Sequence, residues 1–233
     1  MILLCVIAFV AGFVDAIVGG GGLIQTPAGL ILLPNESVAS VIGSLKIPSF
    51  TGTFFAAREY LQKVKIPLKR ILLFTSIAFA ASFTGSYCLT IVSNYYMKPI
   101  IFFVLVIIAI YTFTKKSLGQ SNSNTALVFS TNKGALLCLA LGFYDGFIGP
   151  GTGSLLIMAF IAILGFDFLQ ANANAKLVNL ATNFGSITLF MLKGKIIWAV
   201  AIPMAICNII GAWLGAKLAI SQGNGFIRIF FLI

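Results

Sequence analysis

Ten residues beginning at Gly12, GFVDAIVGGG, return 130 positions later as GFYDGFIGPG, beginning at Gly142. Held constant, that offset carries Asp15 to Asp145, Gly19 to Gly149, Gly21 to Gly151, Lys46 to Lys176 and Phe54 to Phe184. It also carries Lys63 to Lys193, Lys65 to Lys195, Gly85 to Gly215, Asn94 to Asn224 and Lys98 to Arg228. Apolar letters match by chance, but rare charged residues and glycines do not line up repeatedly at one spacing. The chain is therefore read as a duplication, and a fold for it must accommodate two similar units. The first unit covers residues 1–120, a polar connection covers 121–133, and the second unit covers 134–233. Ile233 corresponds to Phe103, so the second unit is expected to lack the end of its last helix.

Each unit is too apolar for an ordinary soluble domain. Hydrophobic residues make up 60% of the chain and charged residues 9%, against roughly 25% charged in soluble domains. A membrane-spanning helix needs about 20 apolar residues. Met1–Val18, Ser37–Ala57, Ile71–Val92, Pro99–Phe113, Gly134–Ile148, Gln170–Leu192 and Ile196–Ile220 meet or approach that length. The expected class is an all-α polytopic membrane protein with two tandem repeats of about four helices, multi-pass in the cell membrane, its principal environment the lipid bilayer. The opening Met1–Ala11 run has no basic leader and no small-residue cleavage site, so it is read as part of the membrane domain.

The net charge of +10 does not indicate nucleic acid, because the basic residues sit in short connections, where they set topology. Arg58, Lys63, Lys65, Lys69 and Arg70 form one group, Lys115, Lys116 and Lys133 a second, Lys193 and Lys195 a third. Histidine is absent, which removes the usual general base and commonest metal ligand. Cys5, Cys88, Cys138 and Cys207 show no C-x-x-C spacing and read as buried small hydrophobes. Neither an enzyme nor a metal or cofactor site is expected. Glu36 and Asp167 read as solvated turn residues.

Each copy opens with a segment broken by glycines. Met1–Leu33 as one helix would be about 50 Å long, too long for one crossing, and Leu23–Leu33 alone reaches only about 16 Å. A break that counts as one crossing gives four spans per copy with the copies parallel and the connection lysines and arginines on one face. A re-entrant break gives three spans per copy and inverted copies. Charge favours the parallel arrangement, which is the expectation adopted.

A glycine loop within a membrane leaves backbone amides in need of partners. A half-helix that starts there points free N–H groups and its positive end into the break, a setting suited to an anion. Close helix packing through small residues is the plainer alternative. Two breaks at matching positions, each preceded by an aspartate, favour a site. Lys46 and Lys176 lie near the middle of long apolar segments, where a lysine must face a partner or a watery cavity. They read either as charge partners of an anion or as internal salt bridges, Lys46 with Asp15 and Lys176 with Asp145. Steps of three or four place Asn172, Lys176, Asn179 and Asn183 on one helical stripe, opposite Ile42, Lys46, Ser49 and Thr53 in the first copy.

GFVDAIVGGGGLIQTPAGL and GFYDGFIGPGTGSLLIMAF, with a lysine on the second helix of each copy, resemble the TauE/SafE-type permeases, the sulfite exporter family. That resemblance implies a duplicated helical transporter for sulfite, sulfonates or other small organic anions, coupled to a proton gradient. The candidate substrate-binding residues are Gly19, Gly20, Gly21, Gly22, Gln25, Lys46 and Ser49 in the first copy. In the second they are Gly149, Gly151, Thr152, Gly153, Lys176, Asn179 and Asn183. Asp15 and Asp145 are the candidates for proton coupling. The expected partner is a small anion, with a homo-oligomer left open. The reading from another class is a non-transporting membrane scaffold whose buried charges are structural.

Overall fold

A computed structural model of the protein describes residues 1–114 and 131–232. The 115–130 stretch, with Lys115, Lys116 and most of the polar connection, lies outside the described residues. Within them the chain is all helix: α1 (Ile2–Val18), α2 (Gly21–Leu32), α3 (Val38–Leu61), α4 (Leu68–Ile91), α5 (Asn94–Thr114), α6 (Thr131–Phe147), α7 (Thr152–Leu164), α8 (Phe168–Leu192) and α9 (Trp198–Leu232). The starts of α3 and α8, and of α4 and α9, are each 130 residues apart (168 − 38 and 198 − 68). α9 leaves helical geometry at Gly223, whose counterpart Ser93 lies in the break between α4 and α5.

Local chemistry explains where these helices begin. The Ser37 hydroxyl accepts from the Ser40 amide at 3.1 Å, and Asp167, at the matching place, accepts from the Gln170 amide at 2.8 Å. Asp167 is exposed at the turn, as expected, and also caps α8. Asn94 Oδ1 accepts from the Val38 amide at 3.0 Å, and Asn224 Oδ1 accepts from the Leu169 amide at 2.8 Å. These two asparagines, matched in the sequence without an evident purpose, tie the starts of α3 and α8 to the start of α5 and to the point just past the Gly223 kink in α9.

The glycine breaks turn the chain back on itself. Gly19 adopts a left-handed conformation, φ 74°, directly after α1, and Gly21 then packs against Ala11 and Asp15. Further along α2, Gln25 is joined through Asn208 to Ala8. Leu30 reaches the cluster that holds Leu4 and Ala8. Positions rise along α2 as they fall along α1, so the two form an antiparallel hairpin. In the second copy Gly149 and Gly151 supply positive φ, at 92° and 80°, and a groove between α6 and α7 runs from Leu137 to Ile163.

This geometry corrects the expected parallel arrangement. Along the contact between α3 and α8, Gly43 meets Phe190, Phe50 meets Phe184 at 5.9 Å between ring centroids, and Tyr60 meets Asn172 at 2.9 Å. Numbers rise on one helix as they fall on the other, so two equivalent helices are antiparallel and the copies run in opposite senses. The physical reason is the hairpin: a break that reverses the chain does not carry it across. The connection lysines and arginines do not share one face, because the connections divide between two ends. Gly134, beside Lys133, lies on Phe74 near the start of α4, whereas Lys195 lies on Gly43 near the start of α3.

The packing also exchanges partners between copies. α1 runs beside α9, with Gly211 against the Phe9 carbonyl and Gly215 against the Phe13 carbonyl. α6 runs beside α4 in the equivalent manner, with Gly85 against the Phe143 carbonyl and Gly146 against the Ser82 carbonyl. Side chains at these glycines would strike backbone within 2.0–2.4 Å, which is why small residues occupy the crossings. The most extensive contacts join α1 and α3 to α9, and α6 and α8 to α4. Two bundles result: α1, α2, α3 and α9 in one, α4, α6, α7 and α8 in the other.

The outside of the bundle is apolar. Leu72, Phe102, Phe103, Leu136, Leu192 and Ile202 are all more than half exposed, a surface that suits hydrocarbon rather than water. α4 and most of α9 are long and apolar enough to cross a bilayer. α3 and α8 have similar lengths but carry the lysines and amides that face inward.

Candidate functional site

The tips of the two hairpins meet at the centre. The Ser154 amide donates to the Gly19 carbonyl at 3.0 Å, and the Ser154 hydroxyl donates to the Val18 carbonyl at 3.0 Å. A Cβ on Gly19 would lie 2.3 Å from the Gly153 carbonyl carbon, and a Cβ on Gly153 would lie 2.5 Å from the Gly19 oxygen. Only residues without a side chain allow the two backbones this approach. The tip contact is therefore a specific demand for glycine at both positions.

Beside the tips lie two buried ion pairs, and each crosses between copies. The Lys46 ammonium donates to Asp145 Oδ2 at 2.7 Å and to the Asp145 carbonyl at 2.8 Å. The Lys176 ammonium donates to Asp15 Oδ2 at 2.9 Å and also to the Asp15 carbonyl. The internal salt bridges offered as one of the two alternatives, Lys46 with Asp15 and Lys176 with Asp145, are corrected to the crossed pairs. The two-fold relation between the copies places each lysine on the opposite copy's hairpin. Because both aspartates sit near a helix C-terminus, each lysine also offsets the negative end of α1 or α6.

The two pairs are not equally enclosed. Side-chain exposure is 7% for Lys46 and 3% for Asp145, against 1% for Lys176 and 20% for Asp15. In the first pair the lysine opens toward the centre; in the second, the carboxylate does.

A cavity of about 40 Å³ lies among these groups, enough for a few waters or a very small ligand. Lys46, Asp15 and Asp145 line it together with Gly19, Gly22, Gln25, Ser49, Gly149, Gly151, Thr152, Gly153, Asn179 and Asn183. Three of the residues singled out from sequence do not reach it. Gly20 and Gly21 are used in the hairpin turn, and Lys176 stands behind Asp15. Asn172 is also diverted, donating from Nδ2 to the Ile17 carbonyl and to the Tyr60 hydroxyl.

Several polar groups around the cavity retain bonding capacity. The first-turn amides of α2 and α7, at Gly22 and Gly153, have no acceptor among the described residues. Asn179 Oδ1 accepts from Asn183 Nδ2 at 3.3 Å, which leaves the Asn179 Nδ2 donor over. Gln25, by contrast, is consumed: Nε2 donates to the Leu45 carbonyl at 3.2 Å and Oε1 accepts from Asn208 at 3.3 Å. Thr26 also borders the cavity. It was missed in the sequence, although its place one residue after Gln25 and four after Gly22 was the available signal. The site thus offers one ammonium, donors from two helix starts and one amide, with two carboxylates at its edge.

The family model for the sulfite exporters TauE/SafE matches residues 4–233. The chain belongs to the TauE/SafE family. A relative in Haemophilus influenzae, called "Probable membrane transporter protein", is 37% identical over 97% of this chain and 88% of its own length. "Probable membrane transporter protein ORF9" of a Sinorhizobium species is 33% identical over 97% of this chain and 85% of its own. "Probable membrane transporter protein YfcA" of Escherichia coli K12 is 32% identical over 95% and 81%. No solved structure matches. This TauE/SafE-family chain is a membrane protein, all-helical among its described residues, and its central cavity lies where its own two glycine segments meet.

Proposed function

We propose that the protein is a secondary transporter of small oxyanions, of the size and charge of sulfite, and not an enzyme. The observation that carries this reading is the central cavity, lined together by Lys46 and by Gly22 and Gly153, whose amides start two opposed hairpin helices and have no acceptor among the described residues. An oxyanion beside Lys46 would accept from that ammonium and from the Gly22, Gly153 and Asn179 donors. These contacts offset the loss of its hydration.

The same geometry supports proton coupling. Lys46 in the present arrangement is satisfied by Asp145. An arriving anion competes with the Asp145 carboxylate for the ammonium and frees it from its partner, which makes Asp145 the carrier assigned to the coupled proton. One proton and one anion then move together, so a proton gradient can drive the anion. Asp15 is the partly accessible counterpart on the other hairpin.

The exchanged packing selects the moving parts. Motion of one copy against the other would tear the close α1–α9 and α4–α6 crossings. Motion of the α1–α2–α3–α9 bundle against the α4–α6–α7–α8 bundle leaves them intact and slides only the α3–α8 face, the ion pairs and the hairpin tips. In a plasma membrane the first copy then contributes one re-entrant hairpin and the crossings α3, α4 and α5, and the second contributes one re-entrant hairpin and the crossings α8 and α9. Arg58, Lys63, Lys65, Lys69, Arg70 and Lys133 mark the cytoplasmic end.

Proteoliposomes offered sulfite, thiosulfate, sulfoacetate and sulfate test the proposal. Uptake of at least one small oxyanion, stimulated by a pH gradient, is expected; Lys46→Gln abolishes it, and Asp145→Asn removes its dependence on the gradient. A folded Lys46→Gln protein that transports normally would sink the site. A lack of flux for every anion would favour the scaffold reading, under which the four charges serve only to join the bundles.

A further inference from the structure

We propose a second, non-transport site: a seat for one anionic phospholipid at the cytoplasmic end of the α3–α4 connection. It depends on membrane placement alone and stands whether or not the central cavity carries an oxyanion.

An apolar groove of about 430 Å³ opens there between the end of α3, the start of α4 and Leu177 of α8. Its walls are Leu61, Val64, Ile71 and Leu72, and Lys65 stands at its mouth. Lys63 and Lys69 flank the mouth in sequence, and all three lysines are exposed. None of the three makes an ion pair with a described residue. An apolar trough of this size beside three uncompensated ammonium groups matches an acyl chain joined to a phosphate. A neutral lipid would fill the trough but leave the lysines unpaired, and a soluble anion would leave the trough empty.

The other copy supplies a control of the same chemistry. At the matching places Gly194 replaces Val64, Trp198 replaces Leu68 and Ile202 replaces Leu72. Lys193, the counterpart of Lys63, is engaged over the Tyr87 ring at 5.4 Å from its centroid. Because the copies are inverted, that region also lies at the opposite face. The seat is therefore expected once per chain.

Leu72 and Ile202 are 62% and 54% exposed, so tryptophan is tolerated at either. In liposomes, quenching of the Leu72→Trp signal by brominated phosphatidylglycerol and by brominated phosphatidylcholine gives the relative affinity of the seat. A several-fold preference for phosphatidylglycerol is expected, absent at Ile202→Trp and lost when Lys63, Lys65 and Lys69 become Gln. Native mass spectrometry of the unsubstituted chain should show one retained phosphatidylglycerol. Equal preference at both tryptophans, or a preference that survives the three substitutions, would mean only diffuse attraction and would overturn the seat.

Discussion

Lys46→Met separates crossed pairing from pairing within one copy. The substitution leaves the Asp145 carboxylate, 3% exposed, without its ammonium partner. Removing one member of a buried pair costs about 3–5 kcal/mol. At about 2–4 °C per kcal/mol for a chain of this size, the unfolding midpoint in detergent should fall by roughly 6–20 °C. Asp145→Asn alone should also destabilise, because it leaves the Lys46 ammonium buried against a neutral amide. The double variant Lys46→Met/Asp145→Asn removes both charges, and the two losses should overlap by about 2–3 kcal/mol. Lys46→Met combined with Asp15→Asn should show a much smaller overlap, since Asp15 is bonded to Lys176. Thermal unfolding followed by intrinsic fluorescence, on the wild type, three single variants and two doubles, measures both overlaps. Rescue of Lys46→Met by Asp15→Asn instead of Asp145→Asn would refute the exchanged packing as well as the pairing.

Other outcomes follow from the same contacts. Lys176→Met should destabilise less than Lys46→Met, because the Asp15 carboxylate it leaves behind is 20% exposed and can regain water; the same unfolding assay ranks the two. Gly153→Ala should prevent the hairpin tips from meeting, since its Cβ would lie 2.5 Å from the Gly19 oxygen, and a loss of at least about 1–3 kcal/mol is expected; an unchanged midpoint would show that the tips do not touch. Asn208→Ala removes the donor shared by the Ala8 carbonyl and Gln25 Oε1 and should cost about 1–3 kcal/mol, read as a lowered midpoint with flux retained in the folded fraction. A short bifunctional thiol reagent between cysteines placed at Phe50 and Phe184, on facing bundles, should arrest flux. Bridging the adjacent Cys5 and Cys207 thiols, within one bundle, should not; arrest by both would argue against motion between the mixed bundles.

The cavity itself was largely legible from residue type and position. Glycines interrupting an apolar run, and a lysine in the middle of another, announce backbone and charge that need partners whatever their neighbours are. What the sequence could not assign was the partner. A constant offset states which residues are equivalent, and it is indifferent to whether an equivalent pair contacts its own copy or the other. Lys46 with Asp145 and Lys46 with Asp15 satisfy the repeat equally well on paper.

Sequence alone indicated the duplication, the membrane habit, the two breaks and the set of inward charges, because each is read from local chemistry that no packing can cancel. Tertiary structure decided the rest. The left-handed turn at Gly19 reverses the chain, so the copies are inverted and the connection charges divide between two faces. The two-fold contact between α3 and α8 then places each lysine on the opposite hairpin. It also admits Lys46 to the cavity while Lys176 stays behind Asp15. Distance in space, which neither periodicity nor spacing encodes, separates the lysine that lines the cavity from the one that braces it.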